Sequence, residues 1–323
     1  MLSKKKVFFF ILLIIVACSS CSAPRNNPLD PENPNNKIGT IEGYVKTIKI
    51  PQAPIANAEV YWENEGIITN TNELGYFKIE SLKKKDGLLT IEKNNYSIDS
   101  SFVLFGSNRN VTKNIFLNAI PRIEDLNFYS ITLNEFPNDQ SYKLGVQVSI
   151  TDEENDIDSV FIQNTDLNTN IELLYNASTK YYEKIITLND LSLRTIDIVI
   201  GKNFAINVFD SDGKNFALQQ SNIKRIIKEE IETTAPLGKD TVTTNNLLLE
   251  WRRFTPGFNF EYLLEIYTDE FDKVLMWQKE ISSEEIQYLV DADLPPDDYF
   301  WVAWAIDEFE NRTRSKQSSF VIK

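Results

Sequence analysis

Asp298-Tyr299-Phe300-Trp301-Val302-Ala303-Trp304-Ala305-Ile306 carries an apolar side chain at every position after the first, and it follows Leu294-Pro295-Pro296-Asp297. A pleated strand sends successive side chains to opposite faces. One register therefore turns Tyr299, Trp301, Ala303 and Ala305 inward and Phe300, Val302, Trp304 and Ile306 outward. The segment Tyr262-Leu263-Leu264-Glu265-Ile266-Tyr267 alternates in the same way, with Tyr262, Leu264 and Ile266 inward and Leu263, Glu265 and Tyr267 outward. Upstream, Leu247-Leu248-Leu249-Glu250-Trp251 places alternate apolar residues in a core, with Trp251 large enough to fill its centre. Period-two segments separated by turn residues specify a β-sandwich.

Together these residues resemble a fibronectin type III domain over residues 234–323. The resemblance implies a tryptophan on an early strand, Trp251, and a corner formed by Leu294, Pro295 and Tyr299, whose hydroxyl bonds backbone upstream. Residues 271–286 depart from the pattern, Trp277 has no assigned place in it, and the proline is doubled. The outward set Leu263, Tyr267, Phe300, Val302 and Trp304 forms an apolar, aromatic sheet face, and monomers seldom leave such a face bare. Three occupants are open: the preceding domain or a loop, a protein partner, or sugar rings stacked on Trp304 and Tyr267.

Residues 119–233 contain apolar segments at 142–151, 157–164, 171–175, 181–188, 196–200 and 204–209. Val146, Val148 and Ile150 alternate with Gln147 and Ser149, as in a half-buried strand. The strand ends Val148-Ser149-Ile150-Thr151-Asp152 and Ala205-Ile206-Asn207-Val208-Phe209-Asp210-Ser211-Asp212-Gly213 resemble those of bacterial immunoglobulin-like modules. Asp152, Asp156 and Asp158, with Asp210 and Asp212, are weak calcium candidates. A loop beginning at Asp152 lacks the sixth-place glycine and twelfth-place glutamate of an EF-hand, so solvated hairpin turns are the favoured reading. In residues 222–232 the isoleucines Ile223, Ile226, Ile227 and Ile231 fall at helical spacing; a last strand running into a linker is expected, with a linker helix as the alternative.

Residues 38–118 are punctuated by Gly39, Gly43, Pro51, Pro54, Gly66, Gly75 and Gly87. The ordered motifs Gly43-Tyr44-Val45, 54–60, 71–79 and Leu89-Thr90-Ile91 followed by Asn95-Tyr96 resemble a carboxypeptidase regulatory-like domain. In the turn 72–75, Gly75 can take positive φ; Asn95 stands where that family usually has glycine, and asparagine also tolerates the left-handed region. Ala58 suits a close approach of two sheets. The resemblance implies the fold and a structural or ligand-presenting role, with no zinc-dependent catalytic unit alongside.

At the start of the chain, Lys4, Lys5 and Lys6 precede an apolar run from Val7 to Ala17, too short to span a bilayer as a helix. Ile15-Val16-Ala17-Cys18 resembles the lipobox of bacterial lipoproteins, which implies a signal peptide over residues 1–17 and acylation of Cys18. Cys21, preceded by Ser20, is a poorer acceptor. An ordinary secretory signal is the alternative. Residues 18–37 then form a tether, rich in proline and asparagine, with too little apolar surface to offset its ordering entropy. Ser19 and Ser20 after the cysteine, with no aspartate, resemble an outer-membrane sorting signal.

The chain of 323 residues carries a net charge of −14, and its two cysteines are the ones in the signal region. An acidic surface repels nucleic acid and anionic headgroups. The absence of histidine removes Ser-His-Asp and Cys-His catalysis and the commonest zinc ligand. The expectation is an all-β protein of three tandem β-sandwich domains, transthyretin- and immunoglobulin-like, after a signal peptide and tether. It is expected to act without catalysis or cofactor as a membrane-anchored scaffold or adhesin-like module with a protein partner. The alternative is a carbohydrate-binding accessory of a polysaccharide-degrading system.

Overall fold

The computed structural model describes residues 33, 38–137, 139–243 and 246–323. The signal segment, Cys18 and all of the tether except Asn33 lie outside them. The chain divides into two compact units, Met1–Ala119 and Ile120–Lys323. The described residues are built of β-strands, with one short 3-10 turn, Ile196–Val199. None of them forms a helix long and apolar enough to cross a membrane.

The first unit has strands β1 (Ile38–Thr47), β2 (Glu59–Trp62), β3 (Ile67–Asn70), β4 (Tyr76–Lys83), β5 (Gly87–Glu92), β6 (Asp99–Val103), β7 (Asn110–Thr112) and β8 (Ile115–Leu117). They make two sheets, β4-β1-β7 with β8 also on β1, and β3-β2-β5-β6. Alternate residues of both sheets meet in one core, with Ile41, Val45, Phe77 and Ile79 facing Val60, Trp62, Leu89 and Ile91. The expected turn before β4 is present. Asn72 Oδ1 accepts from the backbone N–H of Leu74 and of Tyr76, both at 3.0 Å. Gly75 has φ +73°, and a Cβ there would lie 2.4 Å from the Val45 carbonyl oxygen, so only glycine fits. Asn95 also takes positive φ, 67°.

The second unit begins with β9 (Arg122–Glu135), β10 (Asp139–Thr151), β11 (Ile157–Asn164), β12 (Thr169–Asn176), β13 (Tyr181–Thr187), β14 (Phe204–Asp210) and β15 (Asn215–Ser221). It continues with β16 (Thr233–Ala235), β17 (Asp240–Val242), β18 (Leu248–Trp251), β19 (Phe260–Thr268), β20 (Leu275–Ser282), β21 (Gln287–Leu289), β22 (Asp298–Asp307), β23 (Arg312–Arg314) and β24 (Ser318–Ile322). The apolar segment 196–200, expected as a strand, is the 3-10 turn instead. Its buried Ile196 and Val199 are three residues apart, the repeat of that helix.

Two cores lie in this unit. One gathers Phe128, Val146, Val148, Val160, Ile206 and their neighbours. The other is built around Trp251, Tyr262, Leu264, Tyr299 and Trp301. A continuous ladder, β15-β14-β11-β12-β13-β10-β9-β23-β22-β19-β20, runs through both. Its joint is the parallel pair β9–β23, in which Ile131, Thr132 and Leu133 stand beside Arg312, Thr313 and Arg314.

Residues 222–232 form neither the expected strand nor the alternative helix. Apart from an isolated bridge from Ile223 to Ile200, the segment is extended without a ladder. Three of its carbonyls are taken by side chains: Ser130 Oγ donates to Arg225 O at 3.0 Å, Gln140 Nε2 to Lys228 O at 2.8 Å, and Thr313 Oγ1 to Glu229 O at 3.2 Å, while Ile223 O and Glu232 O accept from the backbone N–H of Gly201 and Arg252. Ile223 enters the first core, while Ile227 and Ile231 enter the second. The four-residue spacing that reads as helical is thus the spacing at which an extended chain returns side chains to one face.

Candidate binding surface

The inward register of the second core follows the sequence. Trp251 is 3% exposed, and its ring lies 5.3 Å from Tyr262 and 6.4 Å from Trp301. Trp301 Nε1 donates to Pro236 O at 2.9 Å. The corner is formed as the fibronectin-like pattern implies: Leu294 is buried, and the Tyr299 hydroxyl donates to Pro295 O at 2.9 Å.

On the opposite face the strand pairing aligns Leu263 with Trp304, Glu265 with Val302, and Tyr267 with Phe300. The five residues of the expected patch are therefore neighbours. They are not an open apolar face, however, because Phe300 is 2% exposed and Val302 1%. Phe300 stacks on Tyr267 with ring centroids 5.3 Å apart and an interplanar angle of 10°. Lys273 Nζ lies 4.8 Å from the Phe300 ring centre, and the Arg314 guanidinium lies 5.9 Å from that of Trp304. Long cationic side chains cover apolar surface with their stems, which the strand alternation could not foretell.

Glu265 is the polar centre of this face. Its Oε2 accepts from Trp304 Nε1 at 2.7 Å and from the Tyr267 hydroxyl at 2.9 Å. Burial, helped by the hydrogen bond to Glu265, pushes the Tyr267 hydroxyl up to about 12. Burial works against the charge of Arg314, and Glu135, Glu265 and Tyr267 act in the other direction.

Beside this face lies a cavity of about 310 Å³ lined by Asn134, Glu135, Phe136, Lys273, Arg314 and Gln317. No periodicity in the sequence points to it, since its walls come from the ends of β9 and β23, the β9–β10 and β19–β20 turns and the β23–β24 connection. A second hollow, of about 550 Å³, opens over β10, β12 and β13 beside Tyr129, Gln147, Tyr175 and Glu183. There Gln147 Nε2 and Asn176 Nδ2 both donate to the Glu183 carboxylate, at 3.0 and 2.6 Å. Trp277, which the fibronectin-like pattern left without a place, lies in β20 against the second core. Its Nε1 donates to Asp291 Oδ1 at 2.8 Å, and this bond, together with Lys279, holds the Asp291 carboxyl below its usual range.

The acidic turns come together only in part. Asp156 and Asp210 are buried, at 5% and 2% exposure, whereas Asp158 and Asp212 are exposed. Asp152 Oδ1 and Asp156 Oδ2 are buried without a hydrogen-bond partner. Burial, followed by the neighbouring Asp152 carboxylate, raises Asp156 to about 6. Among the described residues no group of three or more His, Cys, Asp or Glu side chains is placed to hold a metal ion. Cys18, the expected site of lipidation, lies outside the described residues.

No protein-family description matches the chain, and no curated protein matches it. Among solved structures, it is similar to the fibronectin(III)-like modules of Clostridium thermocellum CbhA, at 13% identity and a TM-score of 0.29 over 63% of this chain and 93% of that one. It is also similar to the FN1–FN3 domains of chicken CNTN1, at 12% identity and a TM-score of 0.24 over 62% of this chain and 64% of that one. A third similarity is to BcpA, the major pilin subunit of Bacillus cereus, at 10% identity and a TM-score of 0.26 over 86% of this chain and 92% of that one.

Proposed function

We propose that this chain is a non-catalytic binding and scaffold module of the bacterial cell envelope, adhesin-like, held to the outer membrane by acyl chains on Cys18. In this reading residues 18–37 are the spacer, the first unit is a carboxypeptidase regulatory-like sandwich, and the second unit presents the surface that meets a protein partner. The observation that carries the reading is the use made of the aromatic face. Phe300 and Val302 are consumed by packing, and Trp304 and Tyr267 are both tied to Glu265, so the face stiffens the unit and offers no bare ring pair for a sugar. The segment 222–232 supports it too, because one stretch of chain places isoleucines in both cores of the second unit.

Labelled palmitate in growing cells tests the anchor: label is expected on the wild type and absent from Cys18→Ala. A glycan array run with the mature protein and with Trp304→Ala tests the face. No sugar signal that depends on Trp304 is expected, and one that disappears in the variant would favour the carbohydrate-binding accessory instead.

A further inference from the structure

The β19–β22 face ends at the cavity of about 310 Å³ between the β9–β10 turn, the β19–β20 turn and the β23–β24 connection. That volume is near the lower bound, about 300 Å³, for pockets that hold small ligands. Its charged walls are Lys273, Arg314 and Glu135, a local excess of positive charge in a chain of net charge −14. Arg314 is poorly matched where it stands. Its Nε is buried without a partner, the Glu135 carboxylate comes no nearer than 3.9 Å to Nη2, and the Glu265 carboxylate acts on its charge without a hydrogen bond to it. A guanidinium presents a planar fork of donors suited to two carboxylate oxygens, and here that fork lacks a close acceptor. Lys273 adds a second cation at the rim, its Nζ 4.8 Å from the Phe300 ring centre. Phe136, 71% exposed, supplies an apolar ring surface beside them, with Lys316 Nζ 5.7 Å from the ring centre on one side.

We propose that this cavity binds the carboxylate of an acidic sugar, a hexuronate within a polysaccharide. Arg314 and Lys273 face the carboxylate, Gln317 offers its amide to ring hydroxyls, and Phe136 lies against the sugar's C–H face. A peptide C-terminus is disfavoured by the topology. β9 is already paired with β10 and β23, and β23 with β9 and β22, so the strands flanking the cavity offer no open edge to an extended backbone. The inference rests on the reading of the chain as a binding module and names a ligand class for it; Trp304 does not line the cavity, although its ring centre lies 5.9 Å from the Arg314 guanidinium.

The test is calorimetric titration of the mature protein with an oligogalacturonate, with the methyl ester of the same oligomer, and with a peptide bearing a free C-terminal carboxylate. Binding of the acid form is expected, with affinity at least tenfold weaker for the ester. Lys273→Glu, at an exposed turn position that leaves the fold intact, is expected to weaken binding at least tenfold. Glu135→Gln is expected to strengthen it severalfold by removing the competing carboxylate. Equal affinity for acid and ester, no binding at all, or preference for the peptide would each overturn the proposal. Cleavage of the oligomer would overturn the non-catalytic reading instead, and would leave the site standing.

Discussion

Trp304 on β22 donates its indole N–H to Glu265 Oε2 on β19, 2.7 Å away, across the same sheet face on which Glu265 also accepts from Tyr267. A carboxylate at this place converts two aromatic side chains that alternation turns outward into members of a polar network. Its effects can be measured.

Replacing Glu265 with Gln removes the charge that the Tyr267 hydroxyl faces while leaving an acceptor. The Tyr267 ionisation, pushed up to about 12 chiefly by burial and then by Glu265, is expected to fall toward the ordinary tyrosine value of 10 without reaching it. Ultraviolet absorbance titration checks this, and an unchanged Tyr267 ionisation would show that burial alone sets it. Glu265→Ala leaves two donors without their acceptor and is expected to cost about 1–3 kcal/mol in urea unfolding.

Tyr299→Phe deletes only the hydroxyl that donates to Pro295 O at 2.9 Å. The ring stays stacked on Phe320, so the loss is one hydrogen bond, about 0.5–1.5 kcal/mol. Equilibrium unfolding of the two proteins compares them directly. No difference would mean that the corner is held by packing of Leu294 and the ring.

Asp156 is raised to about 6, above its unfolded value near 3.9, so the folded state holds a proton that the unfolded state has released. Stability from this group is present at low pH and is lost as pH rises between about 4 and 6. Asp156→Asn, whose amide can donate to the orphaned Asp152 oxygen, is expected to raise stability at pH 7 by up to about 3 kcal/mol and by little near pH 4. Melting curves across that range read the difference. A melting temperature raised by calcium but not by magnesium, and only when Asp156 is intact, would instead assign the pair to a cation.

Ile227 is 1% exposed in the second core, whereas Ile226, its neighbour in sequence, only flanks the first. Ile227→Ala is expected to cost about 2–5 kcal/mol, and Ile226→Ala distinctly less. Equal costs would contradict an extended segment that stitches the two cores. Gly75→Ala is a further check in the first unit, where the new methyl meets the Val45 carbonyl at 2.4 Å and must displace backbone. Its expected loss of stability is larger than the roughly 1 kcal/mol typical of glycine-to-alanine effects elsewhere.

Much of the architecture was legible in local order. Period two fixes which of Tyr262, Leu264, Tyr299 and Trp301 face the core, because the pleat admits one alternation per register. The turn at Asn72 and Gly75 follows from the backbone each residue tolerates, and the corner from the spacing of Leu294, Pro295 and Tyr299. The side chains over Phe300 and Trp304 were not legible, because Lys273 reaches the one from the β19–β20 turn and Arg314 the other from β23. Residues 222–232 misled for a related reason: a four-residue repeat is shared by a helix and an extended strand, and only the partners Ser130, Gln140 and Thr313, far away in sequence, choose between them.

The sequence by itself determined the all-β class, the inward faces of the strands, and the lack of any histidine with which to build a catalytic triad, since each depends on residue type and near-neighbour spacing. Tertiary structure alone decided that the aromatic face would close over itself around Glu265, that two cores would share one unit, and that Arg314 would stand beside a cavity with no close acceptor. Those outcomes depend on contacts between segments distant in the chain, whose energies no local pattern encodes.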